Sequence, residues 1–345
     1  MLDKRKKIIL HAIVDDYIST AEPIGSRTIA RKYDLGVSPA TIRNEMADLE
    51  LLGYLEQLHT SSGRIPSGKG YRFYVDSLLA PTQISDKEVT LVKNWYQAKA
   101  RRLDEVFQET ARLLSRMTRN ISLVLAPQFG QCNFKYLQFM PFDETRAILL
   151  IVTDTGMVEN KVIDLPQGMR VEDLQRLANM MNQRLSGLSL DQIESSILRE
   201  IKEDLLAEAK VVDDAMKVIR QALRGEKQDR VYLGGTTQLL NQPEFRNLEK
   251  VRMLLDMLEE EPLLCDLLQQ RQQETDSGVV VTIGEENSYR GIQDCSMVQA
   301  TYRIGGQVVG SVAVLGPTRM DYGKIMSIMD YVHTHLEEML KDYKA

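Results

Sequence analysis

The sequence predicts a multidomain α+β protein, and three observations lead to this prediction. The chain has 345 residues, more than one hydrophobic core usually supports, so two or three domains are expected. The first 80 residues contain a short helix pair followed by two short extended runs. From residue 121 onward, strand-like and helix-like patterns alternate, which is typical of sheets flanked by helices.

Two short helices joined by a tight turn are predicted near the N-terminus. Residues 25–33 form the first helical pattern, and Gly36 can adopt the positive φ that ends it sharply. In the second helix Ser38 is suited to cap the N-terminus, and Pro39 is suited to the first helical position. Stepping about 100° per residue places three apolar residues on one buried stripe, namely Ile42, Met46 and Leu49. This arrangement is typical of a helix-turn-helix.

The exposed face of the second helix, residues 38–52, carries side chains that can read base edges. Asn can pair with adenine, Arg with guanine, and the methyl groups of Thr or Ala can contact thymine. The candidate DNA contacts in the helix pair are Ser26, Arg27, Ser38, Ala40, Thr41, Arg43, Asn44 and Ala47. The alternative is an ordinary solvated polar face, since short motifs also match by chance.

Residues 54–66 predict a β-hairpin wing behind the helix pair. Its tip carries hydroxyl groups, a glycine and a cation, which suit phosphate oxygens or a narrow minor groove. The candidate tip residues are His59, Thr60, Ser61, Ser62, Gly63 and Arg64. Lys69 and Arg72 in the following helix can reach the DNA backbone. With the wing, the helix pair predicts a winged helix-turn-helix.

Charge separates the N-terminal region from the rest of the chain. The chain carries 43 Lys+Arg and 49 Asp+Glu, a net charge of −6. Residues 1–75 hold 11 basic and 9 acidic residues, so this region stands at +2 and the remainder at −8. The imbalance is modest, so the cations must be concentrated on one face to bind nucleic acid. The basic run at residues 4–7 contributes at most sequence-independent affinity.

The later regions predict a connecting helix, one antiparallel sheet and a helical insertion. Periodic apolar spacing over residues 85–120 predicts a long helix, with a domain boundary near residue 80. Strands are predicted at residues 121–126, 136–140, 146–152, 157–162, 279–283, 295–303 and 307–314, and helices at residues 171–185 and 322–341. A leucine-rich block over residues 198–273, with a short extended piece at 231–235, interrupts the strands. We interpret this block as an inserted domain.

The sequence gives no support for a catalytic, metal or membrane site. Cys132, Cys265 and Cys295 are scattered without pairing or zinc spacing. The segment 305–311 lacks the lysine of a phosphate-binding loop and lies between strands, so we predict a hairpin there. No apolar run approaches the roughly 18 residues that span a bilayer. We therefore predict a cytoplasmic protein that is not an enzyme and holds no cofactor or metal.

Several motifs resemble those of one known family. Residues 13–17, 22–27, 38–49 and especially 59–67 with 70–75 are similar to the HrcA family of bacterial heat-inducible transcription repressors. The patterns described above place the winged helix-turn-helix at residues 1–80 and the connecting helix at 81–120. The resemblance implies a GAF-like domain formed by residues 121–197 and 276–345, with an inserted dimerisation domain at 198–275.

The resemblance also implies a function and partners. A repressor of this type binds double-stranded DNA as a homodimer, at an inverted-repeat operator called CIRCE upstream of chaperone operons. Two-fold symmetry in the protein then matches two half-sites in the DNA. Its activity is coupled to the GroE chaperonin.

Two other classes of function stay open at the level of sequence. Winged helices also act as protein-binding modules, in which case the later domain would be the active part, as a ligand sensor. An enzyme would need a polar cluster in that later domain, and the sequence indicates none. Retardation of an inverted-repeat duplex in excess random competitor separates the DNA-binding reading from the other two.

Overall fold

The structure is a computed structural model that describes residues 2–33, 35–57, 63–79, 83–99, 103–127, 133–154, 158–165, 171–189, 193, 230–270, 278–304 and 307–342. Within these ranges the chain forms an N-terminal helical unit with a small hairpin and two antiparallel sheets flanked by helices. The predicted α+β class is confirmed. None of the described helices combines the length and apolar character needed to cross a membrane.

The N-terminal unit begins with three helices, α1 (Lys4–Thr20), α2 (Ser26–Lys32) and α3 (Pro39–Leu51), and it also includes the hairpin and the helix α4 that follow. Asp3 caps α1, because its carboxylate accepts the Lys6 amide at 2.9 Å. Gly36 has a φ of 64° in the turn before α3, as predicted. Apolar side chains of all three helices share one core, which includes Ile9, Ile13, Ile29, Ile42 and Leu49.

A short hairpin follows α3. Its strands β1 (Leu55–Glu56) and β2 (Ile65–Pro66) are antiparallel. The predicted pairing is therefore confirmed, while the tip at residues 58–62 lies outside the described residues. Ser67 then caps α4 (Gly68–Phe73) by accepting the Gly70 amide at 3.0 Å. This helix continues into a π-helical turn, Tyr74–Leu78.

The described strands of the remaining chain divide between two sheets. Their bounds are β3 (Ile121–Leu125), β4 (Phe134–Pro141), β5 (Arg146–Thr153), β6 (Val158–Asp164), β7 (Val231–Gly234), β8 (Val279–Ile283), β9 (Cys295–Ile304) and β10 (Gln307–Pro317). One sheet has the order β7-β3-β10-β9-β8 and the other β4-β5-β6. Every neighbouring pair is antiparallel, and β9 with β10 forms the hairpin predicted around residue 305.

The helices of this region lie before, between and after the strands. Their bounds are α5 (Asp86–Lys99), α6 (Leu103–Thr118), α7 (Val171–Leu185), α8 (Leu248–Glu259), α9 (Glu261–Gln270) and α10 (Tyr322–Asp342). The sequence predicts α7 to the residue and α10 to within one residue of its end. The predicted connecting helix corresponds to α5 and α6, and residues 100–102 between them lie outside the described ranges.

Helices cover the five-stranded sheet on both faces. α6 and α10 share one core with Val124, Tyr302 and Val312. α8 and α9 share another core with Leu123 and Ala313. Neighbouring residues of β3 enter different cores, because successive side chains of a strand point to opposite faces. α6 is therefore packed on the sheet along its length, as its apolar spacing predicts.

The three-stranded sheet packs one face against α7. Leu137, Leu149 and Ile151 are buried on this face, and Leu174 and Met181 are buried on α7. The opposite face carries half-buried and exposed apolar side chains. We call it the open sheet face. Its apolar members are Tyr136, Met140, Ile148, Leu150, Val152, Val158 and Val162, and the polar residues Gln138 and Asn160 lie on either side of Leu150.

The structure differs from the sequence prediction in how the strands associate. The sequence predicts one sheet, whereas β4, β5 and β6 form a sheet of their own. Residues 231–270 lie within the predicted insertion of 198–275, yet β7 pairs with β3, and α8 and α9 pack on the five-stranded sheet. Alternating hydrophobicity identifies a strand but does not specify its partner, which explains the difference. Residues 194–229 of the predicted insertion lie outside the described ranges.

Two arginines join the N-terminal unit to the five-stranded-sheet domain. Arg72 of α4 donates Nη2 to the Val281 carbonyl at 2.6 Å and Nε to Glu286 Oε1 at 2.8 Å. Arg319, which follows β10, donates Nη1 to the Ile18 carbonyl at the end of α1, at 2.8 Å. The guanidinium of Arg72, which the sequence suggests for the DNA backbone, is therefore occupied within the protein.

Candidate nucleic-acid interface

The N-terminus of α3 is built by the residues that the sequence predicts. Ser38 Oγ accepts the Thr41 amide at 3.1 Å and lies 3.0 Å from Thr41 Oγ1. Pro39 occupies the first helical position, where its missing N–H is not needed. The predicted cap is confirmed, and the hydroxyl groups of Ser38 and Thr41 contact each other at this end of the helix.

The two faces of α3 differ as its apolar spacing predicts. Ile42 and Leu49 are fully buried and Met46 is 4% exposed, so the stripe anchors the helix in the core. On the other side Ala40, Arg43 and Asn44 are exposed, and Thr41 and Ala47 are half-buried. No residue in the described part of the chain is a partner for the side chain of Arg43 or Asn44. These two side chains are therefore presented to the solvent from a fixed helix.

Ion pairs with α1 hold the orientation of α3. Lys6 Nζ lies 2.7 Å from Glu45 Oε2 and 3.1 Å from Asp48 Oδ2, and Arg5 Nη1 lies 3.4 Å from Glu45 Oε1. The bonds to Glu45 and Asp48 raise the pKa of Lys6 above its ordinary value. Half of the basic run at residues 4–7 thus pairs with α3 carboxylates. Because these pairs join α1 to one side of α3, we assign them an orienting role.

Lys69 fixes the other end of α3. Its Nζ donates to the Leu52 carbonyl at 2.8 Å and lies 4.6 Å from the centre of the Tyr54 ring. A cation at a helix C-terminus satisfies the free carbonyls and complements the helix dipole. The predicted phosphate contact Lys69 therefore also supports the helix that carries Arg43 and Asn44. Of the two predicted contacts on α2, Ser26 is half-buried and Arg27 is exposed.

The base of the hairpin pairs with the segment that precedes α2. Ile24 and Arg64 form an antiparallel bridge, with each amide donating to the other's carbonyl at 2.9 Å. Arg64 Nε also donates to Glu50 Oε2 at 2.7 Å, which ties the hairpin to α3. The sequence gives no local signal for the roles of Ile24 and Glu50. The tip candidates His59, Thr60, Ser61 and Ser62 lie outside the described residues.

Gly63 has a packing role in addition to its predicted place in the tip. A Cβ atom at this position would lie 2.5 Å from the backbone carbonyl carbon of Ile24. We therefore expect Gly63→Ala to lower the free energy of unfolding by about 1–3 kcal/mol, as overpacking typically does. Urea denaturation measures this change. Gly68→Ala is the control, because a Cβ there meets nothing within 4 Å, and equal stability of the two variants would contradict the role of the contact.

Metal chemistry is not supported by the described residues. No group of three or more His, Cys, Asp or Glu side chains among them could hold an ion. Cys265 and Cys295 are buried, and burial raises the pKa of Cys295 to about 12. A thiol with this pKa is unreactive at neutral pH. Cys132 lies outside the described ranges.

Comparison with known proteins gives a consistent result across the chain. A family model described as HrcA protein C terminal domain matches residues 104–326. A heat-inducible transcription repressor HrcA from Pelotomaculum thermopropionicum is 46% identical over 340 residues, covering 99% of this chain and 97% of the relative. One from Desulforudis audaxviator is 48% identical over 341 residues, with 99% and 98% covered.

One solved structure shares the fold along the full length. It is described as the crystal structure of a hypothetical protein at 2.2 Å resolution. The two chains are 25% identical, the TM-score is 0.62, and the match covers 99% of this chain and 100% of the other.

Proposed function

The chain belongs to the HrcA family of heat-inducible transcription repressors, and we propose that it represses heat-shock chaperone operons by binding their operator DNA. We propose a cytoplasmic homodimer that binds the CIRCE inverted repeat, with one N-terminal unit on each half-site. This unit is a winged helix-turn-helix, with α3 as recognition helix and the β1–β2 hairpin as wing. The remaining chain supplies a GAF-like domain and the dimer contact.

The observation that carries the proposal is the free polar face of α3. The helix is anchored by its apolar stripe, by Lys6 at its side and by Lys69 at its end. Arg43 and Asn44 remain exposed on the opposite side. A helix inserted in the major groove needs this combination, because base readout requires side chains in fixed positions that reach the base edges.

Binding of an inverted-repeat duplex tests the proposed function. We expect the purified protein to retard this duplex in excess random competitor, and to bind a single half-site much more weakly. Selection of bound DNA from a random pool should return symmetric half-sites. No retardation, together with an unstructured selected pool, would favour the alternative in which the winged helix contacts protein.

Arg64 of the wing is proposed to contact a DNA phosphate. Its Nε is bound to Glu50, and the two terminal nitrogens have no partner in the part of the chain that the structure describes. Arg64→Ala should weaken binding to all sequences and reduce the salt slope by about one. Gel shifts over a series of salt concentrations measure this slope. Glu50→Gln, which keeps the cation, is the control, and an unchanged slope for Arg64→Ala would contradict the phosphate contact.

The open sheet face supports a dimer contact. Pairing across the three strands aligns Met140, Ile148 and Val162 in one row, and Tyr136, Val152 and Val158 in another. Val158 and Val162 are 55% and 54% exposed. Apolar surface of this kind on a soluble chain is typical of an interaction site. The exposure of these two valines is why we place the proposed homodimer contact here, and not in the inserted block at 198–275 that the resemblance implies.

The proposed coupling to the GroE chaperonin can be explained by a linkage between folding of the repressor and its binding to the operator. Operator DNA binds the folded dimer, so any factor that increases the folded population increases operator occupancy. We propose that the chaperonin acts as this factor, and that unfolded clients compete for it during heat shock. Refolding of the protein with and without the chaperonin, followed by operator titration, tests this step.

A further inference from the structure

A cleft lies where the N-terminal unit meets the five-stranded-sheet domain. Its volume is about 790 Å³, within the range of about 300–1,000 Å³ that is usual for small-molecule sites, which often form between domains. The walls come from the end of α1, from α5, from the end of α6 and from the start of α10. The apolar part of the lining is formed by Ile18, Leu91, Met117, Pro317, Met320 and Ile325.

The charged lining of the cleft is dominated by cations. Four cations and two carboxylates line it, namely Arg116, Arg119, Arg319, Lys324, Glu88 and Asp321. Both carboxylates are already engaged, because Glu88 pairs with Lys324 at 3.1 Å and Asp321 accepts the Lys324 amide at 3.1 Å. Four cations thus face these two carboxylates and Glu244, which pairs with Arg319, so the cleft keeps a small excess of positive charge.

The three arginines of the cleft differ in how many contacts their side chains already make within the protein. Arg319 is saturated, since it donates to the Ile18 carbonyl, Glu244 and Gln242. Arg116 lies 5.2 Å over the Trp95 ring. Arg119 is exposed, and its side chain has no partner among the described residues.

We infer that this cleft binds a small anionic molecule with an apolar body. Arg119 and Arg116 bind the anionic head, and the apolar wall around Leu91, which is 43% exposed, receives the body. Since the walls belong to two units, a bound molecule stabilises their packed arrangement. The site requires no DNA, and it goes beyond the proposed repression of heat-shock operons.

Decanoate is a suitable probe because it joins a carboxylate to an alkyl chain. Titration calorimetry on the full chain should show one decanoate bound per protomer, and the melting temperature should rise on binding. Acetate, which has only the head, and decyltrimethylammonium, which has an alkyl chain of similar length with a positive head, should bind at least about tenfold more weakly. Equal binding of decanoate and decyltrimethylammonium would overturn the inference.

Variants at Arg119 test the role of the cation. This residue has a φ of 56°, which glycine adopts without strain, so Arg119→Gly removes the charge and keeps the backbone. It should weaken decanoate binding about tenfold or more, and Arg119→Lys should restore most of it. Arg252→Ala removes an exposed arginine of α8 outside the cleft and should change nothing.

Two further results would overturn the proposal. One is unchanged decanoate binding in Arg119→Gly. The other is a loss of affinity for random DNA with a shallower salt slope in the same variant, because Arg119 would then face phosphates. The calorimetry contains no DNA, so a failed operator assay and a failed ligand assay are distinguishable.

Discussion

Replacing both Arg43 and Asn44 by alanine should remove most of the preference for operator over random DNA. Each side chain is exposed on α3 and suited to a bidentate contact with a base. Losing one such contact typically costs about 1–3 kcal/mol of discrimination, which corresponds to about 5- to 150-fold in affinity. Competition gel shifts with operator and random duplexes of equal length measure the ratio.

The control for this double variant is Arg31→Ala. Arg31 is an exposed cation in the last turn of α2 and is not among the candidate DNA contacts. Its removal should lower affinity for both duplexes slightly and leave their ratio unchanged. If Arg43→Ala and Asn44→Ala lower binding to random DNA as much as to the operator, these side chains contact the backbone and do not read bases.

Introducing two aspartates on the open sheet face should separate the proposed dimer. In the variant Val158→Asp/Val162→Asp, each carboxylate would have to be buried in the contact, which costs far more than the contact gains. Both valines are more than half exposed, so the protomer should still fold. Light scattering should report a monomer, and affinity for the full inverted repeat should fall by about 10²- to 10⁴-fold, as expected when two linked sites become independent.

Leu248→Asp provides the matched control. Leu248 is 83% exposed at the start of α8, within the block at 198–275 for which the family resemblance implies dimerisation. An aspartate in the first turn of a helix is well tolerated, so this variant should remain a dimer. If Leu248→Asp yields monomers and the double variant does not, the contact lies on the α8 side of the protein.

Local patterns in the sequence predict the elements and the buried and exposed faces of α3 well. The stripe of Ile42, Met46 and Leu49 follows from helical periodicity alone, and the cap at Ser38 follows from residue type. β8 and α7 are predicted to the residue because each is marked by short-range periodicity. The exposed position of Arg43 and Asn44 is a consequence of the same stripe, so it needs no tertiary information.

Contacts between distant segments could not be predicted in this way. The bridge between Ile24 and Arg64 and the bond from Arg64 to Glu50 depend on how the hairpin docks. Arg72 is a cation near the wing, which suggests a DNA contact, but its side chain binds Glu286, which lies 214 residues away in the sequence. The division of the strands into two sheets is equally non-local, since strand hydrophobicity does not choose a partner.

The strand order of the five-stranded sheet affects how fast the chain folds, and therefore how much folded protein is present to bind DNA. β3 lies between β7 and β10, so residues 121–125 cannot pair with residues 311–315 until the long segment between them has been synthesised. Arg319 then reaches Ile18 across 301 residues. Chains with such distant pairing fold slowly and expose unpaired strand edges in the meantime. We therefore expect the concentration of folded protein to depend on how fast β10 pairs with β3, as well as on the stability of the fold.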